Sequence, residues 1–463
     1  MNFKMASMSY SSSFQYPSDH VVTGLNSRFP NPSKGFSVDT SIMHHYFMDY
    51  LPTNSINAHG GVDALFVEFS VPPSRDFLDL SQLLLFVEVQ VFKGDQGVDK
   101  CADDDVYSLV NGTLNAMWSS VECMLNGQLV VERNDMHGMV SYLQTMLGMP
   151  DDVKSTIGAA MGYKEGISVA LTDFVKMNSA NKAGLSQSMK DWMALSSHSK
   201  AIQFCGPLLL DLVSLDSFLI DQVGLNLRLH RQQNAYLINS ASGAADNYRL
   251  VLSQCRLLVR KVVPSANAHL ALNKSMELNG GQRYFYKKIT TKAYNIQSNE
   301  LTKTIEDPFL GVIPNLLLVT FVSQKALQGA YNEDPHHLTH RGLSRLSIGV
   351  DGSILYEYQL DYDSNRFAIP YYHNFVNYGL DHAVNGLTME QFKSSKNVYI
   401  FDLTADDQSS SNSNLTLDRK GLLRLNFNFR QAIGENLTIL LVGVSQAGMM
   451  ITPDRRVLLS TLM

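Results

Sequence analysis

Trp118–Glu132, WSSVECMLNGQLVVE, and Leu346–Tyr358, LSIGVDGSILYEY, decide the fold between them. In the first, Val121, Cys123 and Leu125 alternate with polar neighbours up to Asn126-Gly127, and Leu129 and Val131 alternate away again. Asn-Gly between two alternating runs is a strong hairpin signal, because a type I′ turn needs positive φ at both central residues. The second stretch turns at Asp351-Gly352, with Ile348, Val350, Ile354 and Tyr356 on its arms. Each hairpin leads into a helical patch: Met136–Leu147, with apolar residues at 136, 139, 140, 143, 146 and 147, and Tyr371–Asn385. Each patch leads to a strand ending in Asp-Leu, LLLDL at Asp211 and YIFDL at Asp402. Each of those leads to a Gly-headed amphipathic strand, from Gly224 and from Gly421. A shared order of parts is the mark of an internal repeat. The separations shrink from 225 positions at the turns to 191 and 197 afterwards, so the larger insertion lies in the first half, at Asp151–His198.

Around these landmarks strands dominate. Ala64–Val71, Leu83–Phe92, Leu208–Leu212 and Val223–His230 belong to the first half. Tyr248–Val263 opens the second, followed by a helix over Pro264–Leu278 that closes at Gly280-Gly281. Tyr284–Tyr294, Leu316–Val322, Val398–Leu403, Leu422–Phe429 and Leu437–Val444 complete it. Many short strands with turn signals and few helices indicate antiparallel sandwiches, not βαβ units. The fold class expected is all-β: two tandem jelly-roll domains with short helices and an extended N-terminal arm. The expected limits are 1–60 for the arm, 61–240 for the first jelly roll with its insertion at about 151–198, 246–455 for the second, and 456–463 for a tail. Within the arm, Ile42–Leu51 (IMHHYFMDYL) is too aromatic for a solvated tail and is expected to bind along a surface. Asn57–Gly61 marks the start of the first barrel, and the small, polar Asn239–Asn247 reads as the turn between the halves.

With 463 residues there is room for two domains of about 200 residues each. A hydrophobic content of 45% against 17% charged allows both to bury large cores. The net charge of −6 argues against a chain whose whole surface grips nucleic acid, which needs clustered Lys and Arg. The four cysteines, Cys101, Cys123, Cys205 and Cys255, form no C-x-x-C pair, and Cys123 and Cys255, in strand-like runs, read as buried reduced thiols. Sequons at Asn111, Asn273, Asn414 and Asn436 carry little weight, because the N-terminus MNFKMASMSYSSS has no apolar signal region. No stretch approaches the roughly 20 apolar residues of a membrane span.

No catalytic, cofactor-binding or metal-binding residue is expected. His336, His337 and His340, beside Glu333 and Asp334, have spacing that would suit zinc on a helix. The preceding Asp-Pro favours a loop, so packing at a loop or subunit interface is preferred. Asp103, Asp104 and Asp105 supply too few ligands of fixed geometry for calcium. Asp211 and Asp402 recur in equivalent strands but in separate repeats, which favours capping of loop amides over a catalytic pair. Arg256 and Arg260 share a strand face that Lys261 opposes, so they read as a polar face before they read as a DNA contact. No G-x-S-x-G, P-loop, H-E-x-x-H or G-x-G-x-x-G in the required context occurs.

Several stretches together resemble a known family. LLVRKVVPSANAHLALNKSM (Leu257–Met276), DPFLGVIPNLLLVTFVSQKALQGAYNEDPHHLTH (Asp307–His340), YIFDLTADD (Tyr399–Asp407) and KGLLRLNFNFRQAIGENLTILLVGV (Lys420–Val444) resemble the hexon-like double jelly-roll major capsid proteins of Polinton/Maverick elements and adintoviruses. In the first half, VEFSVPPSRDFLDLSQLLLFVEVQV and WSSVECMLNGQLVVERNDMHGMVSYLQTMLG fit that family's opening strands and its hairpin-plus-helix. The likeness covers roughly residues 62–150 and 205–455; the arm, the Asp151–His198 excursion and the short tail depart from it. It implies a homotrimeric capsid subunit with no enzymatic activity and no cofactor, whose trimers form pseudo-hexagonal capsomers in an icosahedral shell; the alternatives are a minor or penton-like virion protein, against which the duplication argues, and a two-domain β-sandwich carbohydrate-binding module or hydrolase, which would need a concave aromatic face with paired carboxylates. Neighbouring capsomers, penton and minor or cement proteins would be its partners, and packaged double-stranded DNA at most a non-specific one. It would be made inside the host cell without a signal peptide and reside in the virion. The arm would run under or between capsomers, and deletion of residues 1–55 would leave the barrels folded.

Overall fold

The computed structural model describes residues 40–56, 64–94, 99–102, 105–132, 136–164, 187–240, 247–379, 386–407, 409 and 419–460. The arm before residue 40, the Asn57–Gly61 start signal, Asp103 and Asp104, residues 165–186 of the excursion, 241–246 of the expected linker and 461–463 lie outside the described residues.

Eight strands build the first barrel: β1 (Ile42–Tyr50), β2 (Phe66–Val71), β3 (Phe77–Lys93), β4 (Trp118–Leu125), β5 (Gln128–Val131), β6 (Ile202–Pro207), β7 (Leu225–Arg231) and β8 (Arg249–Pro264). They form two antiparallel sheets, in the order β1-β8-β3-β6 and β2-β7-β4-β5. The next eight are β9 (Gln282–Ile296), β10 (Thr302–Glu306), β11 (Leu316–Ser323), β12 (Leu343–Val350), β13 (Ser353–Gln359), β14 (Tyr399–Asp402), β15 (Leu423–Phe429) and β16 (Leu437–Ile451). Their sheets run β9-β16-β11-β14 and β10-β15-β12-β13. Adding eight to every label of the first barrel gives the second. This interleaving of eight strands in two sheets is the jelly roll, and it occurs twice.

Alternation places the cores. In β3, Val87, Val89 and Val91 are buried between the sheets while Phe86, Glu88 and Gln90 face outward. In the second barrel Phe321 meets Phe427 and Phe429 edge-on, at 5.8 Å in each case. The two expected turns are the β4–β5 and β12–β13 connections, which are equivalent positions. Asn126 and Gly127 have φ of 45° and 81°, Asp351 and Gly352 of 51° and 83°, as a type I′ turn requires.

Both barrels stand the same way up. The short turns of the first share one end, where Gln222 N–H donates to Ser74 O and Asn126 N–H to Gly224 O. The long connections share the other, where Val110 N–H donates to Leu237 O and Asn111 Nδ2 to Lys164 O. Ser240 N–H donates to Tyr331 O across the barrels at the long-loop end. At the short-turn end Asn126 Nδ2 donates to Arg455 O, just beyond β16.

Helix α1 (His137–Gly148) follows β5, and α3 (Ala368–Asn377) follows β13, where the two helical patches were expected; residues 380–385 of the second patch lie outside the described residues. Between the barrels runs α2 (Ala266–Asn279), whose Ser265 Oγ accepts from Ala268 N–H and whose end is Gly280 at φ 72°. None of the helices among the described residues is long and apolar enough to cross a membrane.

Five expectations are corrected. Within the expected tail 456–463, Val457–Ser460 is a further strand that pairs with Gly448–Ile451 of β16. Ile42–Tyr50, assigned to the arm, is β1: its backbone pairs with β8, although eight of its nine side chains are exposed. Tyr248–Val263, assigned to the second half, is β8 and lies between β1 and β3 of the first barrel. The barrels are therefore joined through α2, and not at Asn239–Asn247. Leu208–Leu212 is not a strand; β6 is the preceding Ile202–Pro207, and a 3₁₀ turn covers Asp211–Ser214. Deleting residues 1–55 would also strip β1 from its sheet, so a truncation that spares the barrel has to end before Ser41.

Candidate assembly surfaces

The histidine motif does not gather a metal site. His336 is fully buried in a loop and stacks on Tyr142 of α1, with centroids 4.2 Å apart and planes within 1°. Burial pushes its pKa down to about 3. His340 stacks instead on Tyr362 at 3.8 Å, and its Nδ1 accepts from Gly342 N–H at 3.0 Å. Among the described residues no group of three His, Cys, Asp or Glu side chains is placed to hold a metal ion. Asp105 pairs with Lys93 at 2.9 Å and accepts from Ala102 N–H.

The recurring aspartates part company. Asp402 caps its own loop, accepting from Thr404 N–H and Ser409 N–H at 2.9 Å each, as expected. Asp211 accepts across the barrels, from Ile289 N–H of β9 at 3.3 Å, beside a cavity of about 370 Å³. Burial pushes its carboxyl up to about 7, against the opposing pull of that amide and of Lys288. Burial likewise raises the Cys123 and Cys255 thiols to about 12, as inert core thiols.

The basic trio is tied into the first barrel. Arg260 pairs with Asp79 at 3.1 Å, and Lys261, only 4% exposed, donates to Ser74 Oγ. Arg256 lies 5.5 Å over the Phe86 ring and 3.9 Å from Asp49.

The seam between the barrels is apolar. In β11, Leu317, Val319 and Phe321 point into the second barrel, while Leu316, Leu318 and Val322 point out, and all eight residues of the strand are buried. A continuous apolar run such as LLLVTFV is what burial on both faces demands. Helix α1 covers the outer face with Met139, Val140, Leu143, Met146 and Leu147, which also meet Ile400, Leu440 and Val442. At about 1.5–3 kcal/mol per buried side chain, the helix brings on the order of 10 kcal/mol to the seam, an upper estimate.

At the short-turn end a polar clamp adds to it. Arg455 is inserted between elements of both barrels, its Nη2 2.5 Å from Asp221 Oδ1 and 3.1 Å from Asn273 Oδ1 of α2. His269 Nε2 lies 3.1 Å from Asp221 Oδ2, and the Asp221 side chain is only 2% exposed. Nothing in the local sequence marks Arg455, because its partners lie 234 and 182 positions away.

Among the described residues, two surfaces combine apolar side chains with a supporting element behind them. Helix α3 covers the free edge of β14 with amide side chains: Asn374 exchanges bonds with Val398 O (2.6 Å) and Ile400 N–H (2.9 Å), and Asn377 donates to Ile400 O (2.6 Å). Its other face shows Ile369, Tyr372 and Val376 to solvent. The outer face of the β1-β8-β3-β6 sheet shows Phe47, with Leu84, Phe86, Cys205 and Leu258 half-buried.

No family model matches the sequence, and no curated protein matches it. Solved structures do. A chain of the Sputnik virophage, from its 3.5 Å cryo-EM structure, superposes with a TM-score of 0.59 at 12% identity, over 96% of this chain and 94% of that one. The mavirus major capsid protein gives 0.54 at 10% identity over 96% of each chain. The Faustovirus major capsid protein gives 0.53 at 8% identity, over 94% of this chain and 93% of that one. At these identities the likeness is one of fold. The chain is a double jelly roll, built end to end as the major capsid proteins of mavirus and Faustovirus are built.

Proposed function

We propose that the protein is the major capsid protein of an icosahedral double-stranded DNA virus or virus-like element, assembling as trimers that tile the shell as pseudo-hexagonal capsomers. The observation that carries this is the repetition of one eight-strand order in two barrels standing the same way up in one chain. A trimer of such chains presents six similar barrels, so a threefold object offers nearly sixfold edges to a lattice. The long connections gather at one end, where they can lengthen without disturbing the packed sides; that end would face outward. The named structural relatives, matched over nearly their whole length, support the same reading. The shell, and neighbouring capsomers in it, would be the protein's location and partners.

Light scattering on the purified protein is the direct test, with a mass three times that of the 51.6 kDa chain expected. A monomer across physiological salt, with no trimers in electron micrographs of assembled particles, would overturn the proposal.

A further inference from the structure

We infer that the contact between neighbouring copies repeats the contact already made inside each chain: the outward stripe of α3 on one copy seats on the outer face of the β1-β8-β3-β6 sheet of the next. This rests on the capsid proposal, which supplies the second copy and the threefold closure. Within the chain, the helix after the fifth strand of the first barrel, α1, covers the outer face of the second barrel's β9-β16-β11-β14 sheet. The counterpart of that helix is α3, which follows the fifth strand of the second barrel, and the counterpart of the covered sheet is β1-β8-β3-β6. Among the described residues, the duplication thus leaves one helix face and one sheet face unmatched. These are the two halves of a head-to-tail contact, which propagates from copy to copy until a ring closes.

The side chains fit the role. Ile369, Tyr372 and Val376 stand at i, i+3 and i+7 on one face of α3 and are 64%, 64% and 42% exposed. The opposite face is fixed to β14 by Asn374 and Asn377, so the stripe is held on a rigid support. On the sheet, Phe47 is 46% exposed beside Leu84, Phe86 and Leu258. Polar pairs rim it: Arg256 with Asp49, and Gln203 Nε2 donating to Glu88 Oε2 at 2.8 Å. An apolar centre with a polar rim is the make-up of a surface that meets water first and a partner later.

The test compares the full-length protein with Tyr372→Glu/Val376→Glu and, separately, with Phe86→Glu, by sedimentation and light scattering, with circular dichroism melts as the check on folding. Wild-type trimers alongside folded variants whose trimers dissociate at concentrations at least 100-fold higher are expected. Folded variants that stay trimeric at the wild-type concentration overturn this contact and leave the capsid proposal standing. A monomeric wild type removes the capsid proposal and the contact with it. Should a glutamate variant fail to fold, Tyr372→Cys/Phe86→Cys on a Cys205→Ser background decides the matter. Chains linked to one another on oxidation are expected, and an absence of interchain links overturns the contact.

Discussion

The duplicated turn makes a claim that can be measured at both copies. Asn126 N–H donates to Gly224 O at 3.0 Å, and Gly224 N–H returns a bond to Asn126 Oδ1 at 2.7 Å. Asp351 N–H donates to Leu422 O at 3.0 Å, and Leu422 N–H returns one to Asp351 Oδ1 at 2.8 Å. In each barrel the first turn residue therefore holds the head of the seventh strand, β7 or β15, while sitting at positive φ. Alanine at either position loses the side-chain bond, at about 1 kcal/mol, and strains the left-handed backbone by about another 1 kcal/mol. Glycine loses the bond but relieves the strain, so about 1 kcal/mol is expected from Asp351→Gly and about 2 kcal/mol from Asp351→Ala, with about 1 kcal/mol more at position 126, where the Nδ2 bonds to Arg455 O and Gln222 O are lost as well. The exchange Asp351→Asn should cost under about 0.5 kcal/mol, since both residues accept the bond and tolerate the conformation. Asn126→Asp should cost more, because it loses the Nδ2 donations to Arg455 O and Gln222 O and sets a carboxylate oxygen against those carbonyls. For a barrel of about 200 residues, 2 kcal/mol lowers the melting temperature by about 4–8 °C. The local readout is hydrogen exchange at the amides of Gly224 and Leu422, which should quicken by roughly 30-fold in the alanine variants and only in the barrel mutated. Glycine as damaging as alanine would remove backbone strain from the account. Alanines costing nothing would refute the clamp itself.

Two further outcomes follow from the seam. Arg455→Met keeps the aliphatic stem but leaves the Asp221 carboxylate, 2% exposed, without its cation; a loss of about 3–5 kcal/mol is expected in thermal melts, with partial recovery in Arg455→Met/Asp221→Asn. Asp211 has its folded pKa raised to about 7 from 3.8, so the stability of its protonated form is intact below pH 3.8 and lost as pH rises to 7. Asp211→Asn should accordingly stabilise the protein by about 2–4 kcal/mol at pH 8 and by nothing measurable below pH 4; destabilisation at pH 8 would mean that the buried carboxylate is a net asset there.

What the sequence made legible was whatever is written locally. Both turns, both helical patches and the inward alternation of β3, β7 and β15 follow from neighbours one to four positions apart. The misses share a cause of the opposite kind. IMHHYFMDY shows no alternation because neither face of β1 is buried; backbone bonds to β8 hold it, and those leave no trace in side-chain pattern. In β8 the alternation announces a strand but not a sheet: its partner β3 lies more than 150 positions upstream, and the helix α2 after it is as good a boundary as the loop before it. The Arg455 clamp draws on a loop, a helix and a tail that meet only once both barrels are folded. Asn374 and Asn377 were the one hidden feature with a local sign, two amides three apart on a helix whose next neighbour is an edge strand.

The third strands of the two barrels carry a physical contrast that bears on assembly. Outward from β11 point Leu316, Leu318, Thr320 and Val322; outward from its equivalent β3 point Leu84, Phe86, Glu88 and Gln90. The first set is covered as soon as the chain folds, because α1 is tethered nearby and its effective concentration is high, so nothing penalises a fully apolar face. On the contact inferred above, the second set is covered only by another molecule. Before that molecule arrives, a face as apolar as β11 would be a large exposed patch, prone to indiscriminate association. Arg256 over Phe86 and the Gln203–Glu88 bond blunt it. On this argument the polar residues of β3 are there to keep the free subunit soluble, and Glu88→Val with Gln90→Val should tighten association between copies while increasing aggregation of the unassembled protein. Unchanged solubility and unchanged trimer dissociation in that variant, measured by light scattering across a dilution series, would show the face to be plain solvent-exposed sheet.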